Sequence, residues 1–303
     1  MAIAVCENLV DDQGQELLVH GSAQFPVACY ADDLAREPVP WHWHNEWECA
    51  VVAQGRAEVA ADTEHFTAEA GEGYFIHAGV LHSMCAAGDG ACRLQAVVFH
   101  PSLVGGSPGS VFDRQYVQPL LARGSPPCVW LRRGEAWQAA ALDEIAAAWH
   151  SCARETAGYE LAVRAALSRL AFQLTLRGPA APPPTARSLR ETARMKAMLR
   201  YIEQNLDAPL DTAAIAASAA VSESECLRCF RRTIGLPPVQ YVRQLRIRRA
   251  AALLRETDLS VSEIGARCGF PDASYFAKTF RALTGRSPGA YRRSDEPPVA
   301  AEG

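Results

Sequence analysis

The apolar positions change period along the 303-residue chain. From about Gln24 to His100 they fall in short runs rich in Val, Phe, Tyr and Cys: FPVACY, WECAVVAQG, RAEVAA, GYFIHAG and RLQAVVFH. Turn pairs such as QG, AD and AG separate the runs at close intervals, which predicts an antiparallel sandwich or small barrel. Pro101 to Arg133 reads as loop. The period then lengthens to that of a helix. In EAWQAAALDEIAAAWH, Leu142, Ile145 and Trp149 share a face, and in YELAVRAALSRLAFQLTLR so do Val163, Leu167, Leu170 and Leu174. These two helices, spanning 135–177, can pack internally or form a dimer seam. GPAAPPPTARS, Gly178 to Ser188, breaks helix and strand alike and reads as a linker.

Beyond the linker one pattern occurs twice. FRRTIGLPPVQYVR starts at Phe230 and FRALTGRSPGAYRR at Phe280, with identical residues at six of fourteen positions. Each copy reads as helix, turn, helix. Ser222 can cap a helix whose third residue, Glu225, can bond back to the cap, and Asp272 is the equivalent cap. Cys226, Cys229 and Phe230 follow in the first copy, and Phe276, Thr279 and Phe280 in the second, at the i, i+3, i+4 spacing of a buried face. Gly235 and Gly285 fall where a helix stops, and Pro238 and Pro288 where the next begins. A preceding helix runs over LDTAAIAASAA in the first copy and SVSEIGARCG in the second, where Ser260 and Glu263 form a capping box. The two units span about 211–233 and 260–284. Between them a helix from about Pro237 to Arg255, roughly 27 Å long at 1.5 Å per residue, can hold the second helices about one DNA turn apart.

Charge adds a partner. Residues from Ala186 onward hold 19 Lys+Arg against 13 Asp+Glu, whereas 1–185 hold 11 against 21 along with all eight histidines. The basic rear suggests a nucleic acid. No run is long enough to cross a bilayer, and the start lacks the basic and apolar segments of a secretion signal, so a cytoplasmic chain is expected. The ten cysteines are then expected as thiols. Cys226 and Cys229, three apart on a packing face, read as small core residues rather than a metal or redox pair.

The outer faces of the second helices carry Ser224, Leu227, Arg228 and Arg231 in one unit and Ala273, Ser274, Tyr275, Ala277, Lys278 and Arg281 in the other. Arg can take guanine bidentately, Ser can bond base edges, and Leu or Ala can touch a thymine methyl. RIRRAAALL, TDLSVSEIGARCGF, SYFAKTF and GRSPGAYR resemble the DNA-binding domain of the AraC/XylS family of transcription regulators, over about Arg194 to Arg293. That resemblance places base-contacting positions on Ser224, Leu227 and Arg228 and on Ala273, Ser274, Tyr275 and Lys278. The first unit departs from the family at Cys226 and Cys229, where larger aliphatics are usual, and at Ala220, a turn position often occupied by Gly. It is therefore expected to be the less stable of the two.

In the front half, WHWHNEWECAVVAQG places His42, His44 and Glu48 ahead of a glycine turn, and GEGYFIHAGVLH ends at His82. His42 and His44 point to one side of a strand, and a hairpin partner can bring His82 opposite them. Three imidazoles and a carboxylate suit a divalent transition metal. The spacing resembles the two cupin motifs: His42, His44, Glu48 and Gly55 match the first, and Gly71, Gly79 and His82 the second, with His77 where Pro is usual. The resemblance makes His42, His44, Glu48 and His82 the metal-ligand positions. In AraC-type regulators, however, such a barrel usually holds an organic effector. Two readings stand: a divalent metal on these four residues, or a metal-free effector pocket with Trp41, Trp43 and Trp47 as walls. His20, His65, His100 and His150 read as isolated.

The expected architecture is multidomain. An all-β cupin-like barrel over 1–134 is followed by helices over 135–177 and a linker over 178–188. An all-α DNA-binding domain with two helix-turn-helix units occupies 189–293, and a flexible tail 294–303. The expected function is a transcription regulator that binds double-stranded DNA under control of a small-molecule effector. RNA polymerase is an expected partner, a homodimer is a candidate state, and neither catalysis nor a membrane is expected. The alternative is a metal-dependent cupin enzyme or metal sensor fused to a DNA-binding domain.

Overall fold

Alternation along the strand Trp47–Gln54 divides the front half into two cores. Trp47, Cys49 and Val51 point to one side of a sheet, and Ala50 and Val52 to the other. The structure, a computed structural model, describes residues 20–22, 24–62, 64–121, 126–179 and 185–293. The expected tail 294–303 and residues 180–184 of the expected linker lie outside the described residues. The chain divides at Leu189/Arg190 into two compact units.

Among the described residues, the first unit is built on nine antiparallel strands: β1 Val27–Asp33, β2 Val39–His42, β3 Trp47–Gln54, β4 Arg56–Ala61, β5 Glu64–Glu69, β6 Gly73–Ile76, β7 His82–Ala86, β8 Arg93–Phe99 and β9 Cys128–Leu131. They form a five-stranded sheet in the order β1-β8-β3-β6-β9 and a four-stranded sheet in the order β2-β7-β4-β5. One core, with Val52, Ile76, Val98, Val59 and Met84, gathers residues of both sheets. The other lies between the far face of the larger sheet and two long helices, α3 Ala136–Arg154 and α4 Tyr159–Arg177. Trp149 of α3 fixes this layer by donating its indole N–H to the Tyr30 carbonyl at 2.7 Å.

One expectation is corrected by this fold. Residues 101–133 are not loop alone: they contain α1 Ser102–Gly105, a π-helical turn Asp113–Val117, α2 Gln118–Leu121 and β9. Segments this short carry no full period, so periodicity misses them. Of the two readings of the helical stripes, internal packing is present: Leu142, Ile145, Val163, Leu167, Leu170 and Leu174 are all buried in the unit's core, with Trp149 packed against it.

The second unit is all helix: α5 Ala186–Gln204, α6 Thr212–Ser218, α7 Glu223–Thr233, α8 Pro238–Glu256, α9 Val261–Arg267, α10 Ala273–Thr284 and α11 Pro288–Arg292. α5 begins inside the stretch read as linker, so the linker's last three residues are helical. Its stripe of Met195, Met198, Leu199 and Ile202 is buried at i, i+3, i+4, i+7, a readable signal that the expected elements leave out. The six positions taken as the buried faces of α7 and α10 are all buried. Around α10, Ile247, Leu254, Ile264, Phe270, Phe276, Phe280 and Tyr291 make a continuous core. Cys268 lies in this core, and among the described residues the nine cysteines are free thiols.

Candidate functional site

Each second helix of the repeated motif starts from a side-chain cap. Ser222 accepts from the Glu225 amide at 3.3 Å, and Asp272 from the Tyr275 amide at 2.7 Å. The full capping box expected at Ser260 is present, Ser260 and Glu263 each accepting from the other's amide. At Ser222 the expected return bond is displaced. The Glu225 carboxylate pairs with Arg228 on its own helix and lies 3.9 Å from Arg194 of α5. Two guanidiniums outcompete one backbone amide for the carboxylate.

With Cys226, Cys229 and Phe230 buried, α7 turns Ser224, Arg228 and Arg231 outward and leaves Leu227 half-buried. With Phe276, Thr279 and Phe280 buried, α10 turns out Ala273, Ser274, Tyr275, Lys278 and Arg281, and Ala277 is half-buried. The candidate DNA-contacting residues thus form two outward faces on two equivalent helices.

Some of the rear's positive charge is structural, which the sequence counts as one pool. Arg246 of α8 donates Nε–H to the Leu206 carbonyl at 2.8 Å and a second N–H to the Ala208 carbonyl at 2.5 Å. Arg292 of α11 likewise reaches the Leu254 and Leu259 carbonyls, at 3.3 and 2.5 Å. Each clamps the connection leading into a helix-turn-helix unit, so neither is spare charge for DNA.

In the first unit, β2 pairs with β7 so that His42 lies directly opposite His82. Glu48 arrives from β3, and His44 is held from the second motif, where Gly79, at φ +72°, donates its N–H to the His44 carbonyl at 2.7 Å. The donor atoms of His42, His44, Glu48 and His82 lie within 4.8 Å of one another, and all four residues are buried. The three imidazoles are fixed from behind: Nδ1 of His42, His44 and His82 lies 2.9, 3.1 and 2.8 Å from the carbonyls of Pro40, Glu46 and Val80. A carbonyl can only accept, so each Nδ1 carries a proton. Nε2 of His44 and of His82 lie 3.2 and 3.1 Å from Oε2 of Glu48. Tyr74 donates its hydroxyl to Oε1 at 2.7 Å. Burial opposes ionisation of Glu48, but His82 and His44 outweigh it and hold its carboxyl well below the usual carboxylate range. Burial and the neighbouring Glu48 push the Tyr74 hydroxyl far up, so it stays a donor. This donor set fits a divalent transition ion.

Not every expected residue joins the cluster. Trp43 stands half-buried just past the end of β2, with His44 after it outside the strand, and Trp41 packs near His65 with ring centroids 6.4 Å apart. Trp47 is no wall: it faces the core under the helices, against Phe75 and Phe99, because it neighbours Glu48 on alternating backbone. His20 is not isolated. It is buried, its Nδ1 lies 2.9 Å from the Tyr30 hydroxyl, and its ring centroid is 5.1 Å from that of His44. Sequence distance hid this contact.

His77, at the position usually Pro, is a liability in acid. Burial lowers its pKa to about 4 from the ordinary 6.5, partly offset by a bond to the Leu120 backbone, and its Nδ1 has no hydrogen-bond partner among the described residues. The folded state resists protonation, so its contribution to stability is complete above pH 6.5 and is lost as pH falls towards 4. His77→Leu is expected to flatten this limb, raising stability at pH 4 by up to about 3 kcal/mol relative to the unmodified chain. Urea unfolding across that pH range checks it, and parallel profiles would contradict it.

A two-sheet domain with a buried polar cluster, joined to a helical domain bearing two capped helix-turn-helix units, defines a DNA-binding transcription regulator with a ligand-binding domain. Residues 24–174 match the AraC-like ligand binding domain family, and residues 215–294 match a helix-turn-helix domain family. The chain belongs to the AraC-type transcription regulators. It is 26% identical over 291 residues to the uncharacterized HTH-type transcriptional regulator YdeC of Bacillus subtilis (strain 168), covering 95% of this chain and 99% of the other. It is 27% identical over 281 residues to the HTH-type transcriptional activator RhaR of Klebsiella pneumoniae, covering 91% and 97%. A crystal structure of a transcriptional regulator from Chromobacterium violaceum, described as having an AraC-type DNA-binding domain, is 30% identical with a TM-score of 0.32, covering 34% of this chain and 95% of that one.

Proposed function

We propose that α7 places Ser224, Leu227, Arg228 and Arg231 in one major-groove segment and α10 places Ala273, Ser274, Tyr275, Lys278 and Arg281 in the next. The observation that carries this reading is the duplication itself: two equivalent helices, separately capped, each with an outward face holding two cations. A small-molecule effector binds the first unit at His42, His44, Glu48 and His82, beside Trp43, and alters DNA affinity or contact with RNA polymerase. It switches the protein only if it binds one arrangement better than another. The regulator works in the cytoplasm on double-stranded DNA and catalyses no reaction; its relatives are regulators. A homodimer is supported by Leu161, Phe172 and Leu176 of α4, large apolar side chains left exposed.

The test uses the duplexes that the full chain selects from a random-sequence library. Affinity falls linearly in log salt, and Arg231→Ala or Arg281→Ala is expected to shrink the slope by about 0.9 for each phosphate that the variant no longer neutralises. Unchanged slopes in both variants would contradict the placement of the two faces.

A further inference from the structure

We infer that Glu225 of α7 and Arg194 of α5 form a specificity device for Arg228: Arg194 takes over the Glu225 carboxylate when Arg228 leaves it for a guanine. This rests on the placement of α7 in a major groove and adds two half-buried residues behind its outward face. The carboxylate is shared between its two oxygens. Oε2 pairs with Nη2 of Arg228. Oε1 lies 3.9 Å from Nη1 of Arg194 and accepts from the Cys229 thiol at 3.9 Å.

Charge order along the two helices explains why Arg194 stands there. Arg232 of α7 donates to Glu191 of α5 at 2.6 Å, and Arg194, three residues after Glu191, comes to Glu225. The two pairs have opposite polarity, so exchanging their partners would set like charges together. The tight Glu191–Arg232 pair fixes α5 against α7, and the looser 3.9 Å contact holds Arg194 in reserve.

Docking shifts the balance. Guanine offers one guanidinium two acceptors, O6 and N7, and no other base presents two acceptors in the major groove. Guanine therefore draws Arg228 off the carboxylate where other bases do not. Glu225, only 22% exposed, would then be left unpaired beside the phosphates. Arg194 removes that cost by closing to the roughly 2.7–2.9 Å of a charge-assisted hydrogen bond. Against a wrong base Arg228 stays on Glu225, so discrimination has a repulsive element as well as an attractive one. In α10 the third position after the cap is Tyr275, so the second reading helix carries no carboxylate there.

The experiment compares the full chain with Arg194→Ala, Glu225→Gln, the double variant and Arg228→Ala, on a duplex selected by the wild type and on a random-sequence duplex. Arg194→Ala should weaken binding to the selected duplex about tenfold, and Glu225→Gln in the same chain should cut that loss to about twofold or less. Glu225→Gln alone should tighten binding to the random duplex and lower the preference for the selected one by roughly three- to tenfold. In library selection it should relax the segment that Arg228→Ala relaxes and leave the segment set by Lys278 intact. Arg194→Gln, which keeps most of the side chain, repeats the measurement if circular dichroism shows that Arg194→Ala melts lower. Equal losses from Arg194→Ala with and without Glu225→Gln overturn the inference, as does an unchanged preference in Glu225→Gln. Arg228→Ala separates the two levels. If it binds the selected duplex as the wild type does, the groove placement fails and this inference with it. If it weakens binding while the Arg194 and Glu225 effects simply add, only this inference fails.

Discussion

Gly269→Ala lowers the melting temperature of the helical unit by about 12 °C or more, the result expected from a loss of about 3 kcal/mol. Gly269 ends α9 with φ +76°, a conformation that costs a residue with a Cβ about 1–2 kcal/mol. An added Cβ would also lie 2.5 Å from the Leu206 carbonyl oxygen and 2.9 Å from the Arg246 guanidinium. These are the two halves of the clamp that fixes the connection into α6. One methyl group therefore strains its own turn and loosens the neighbouring unit. The equivalent turn of the first unit gives the opposite result. Ala220 already sits at φ +52°, so Ala220→Gly relieves strain at a smaller entropic cost and is expected to gain about 0.5–1 kcal/mol. Thermal unfolding followed by circular dichroism measures both changes. An unchanged melting temperature for Gly269→Ala, or a lower one for Ala220→Gly, would contradict this account of the two turns.

Arg228→Ala and Lys278→Ala each weaken binding to a selected site about ten- to a hundredfold, as loss of a side chain reading a base should. In the free protein Arg228 is paired with Glu225, and its side chain remains 68% exposed. An exposed pair of this kind is worth about 1 kcal/mol at most, so exchanging the carboxylate for a guanine edge costs little. Lys278 is exposed on the equivalent turn of α10. Neither residue belongs to the buried face of its helix, so folding should survive both changes and the loss should be confined to DNA.

The repeated corner was legible because one pattern recurs with its caps, stop glycines and starting prolines in register. The buried faces of α7 and α10 followed directly from the i, i+3, i+4 spacing. The convergence of His42, His44, Glu48 and His82 was legible because two short motifs lie on strands that pair antiparallel and set His42 opposite His82. The register shift within β2 was not. What sequence did not show was mostly non-local. Arg246 and Arg292 look like their charged neighbours until the carbonyls they clamp, 33 to 40 residues away, are known. His20 meets His44 only because β1 brings Tyr30 beside it. Trp47 looked like a pocket wall because three tryptophans cluster in sequence, yet strand alternation sends it to the opposite core from Glu48. Residues 101–133 hold elements too short to show any period.

The central claim is that two recognition helices in one chain read two neighbouring groove segments. α8, with 19 residues and roughly 28 Å long, spans the interval between them. Selection of bound duplexes from a random library, repeated with Arg228→Ala and with Lys278→Ala, tests this most directly. The expected wild-type site has two preferred segments centred about 10–10.5 base pairs apart, with Arg228→Ala relaxing one and Lys278→Ala relaxing the other. A single preferred segment, or both variants relaxing the same one, would contradict the account.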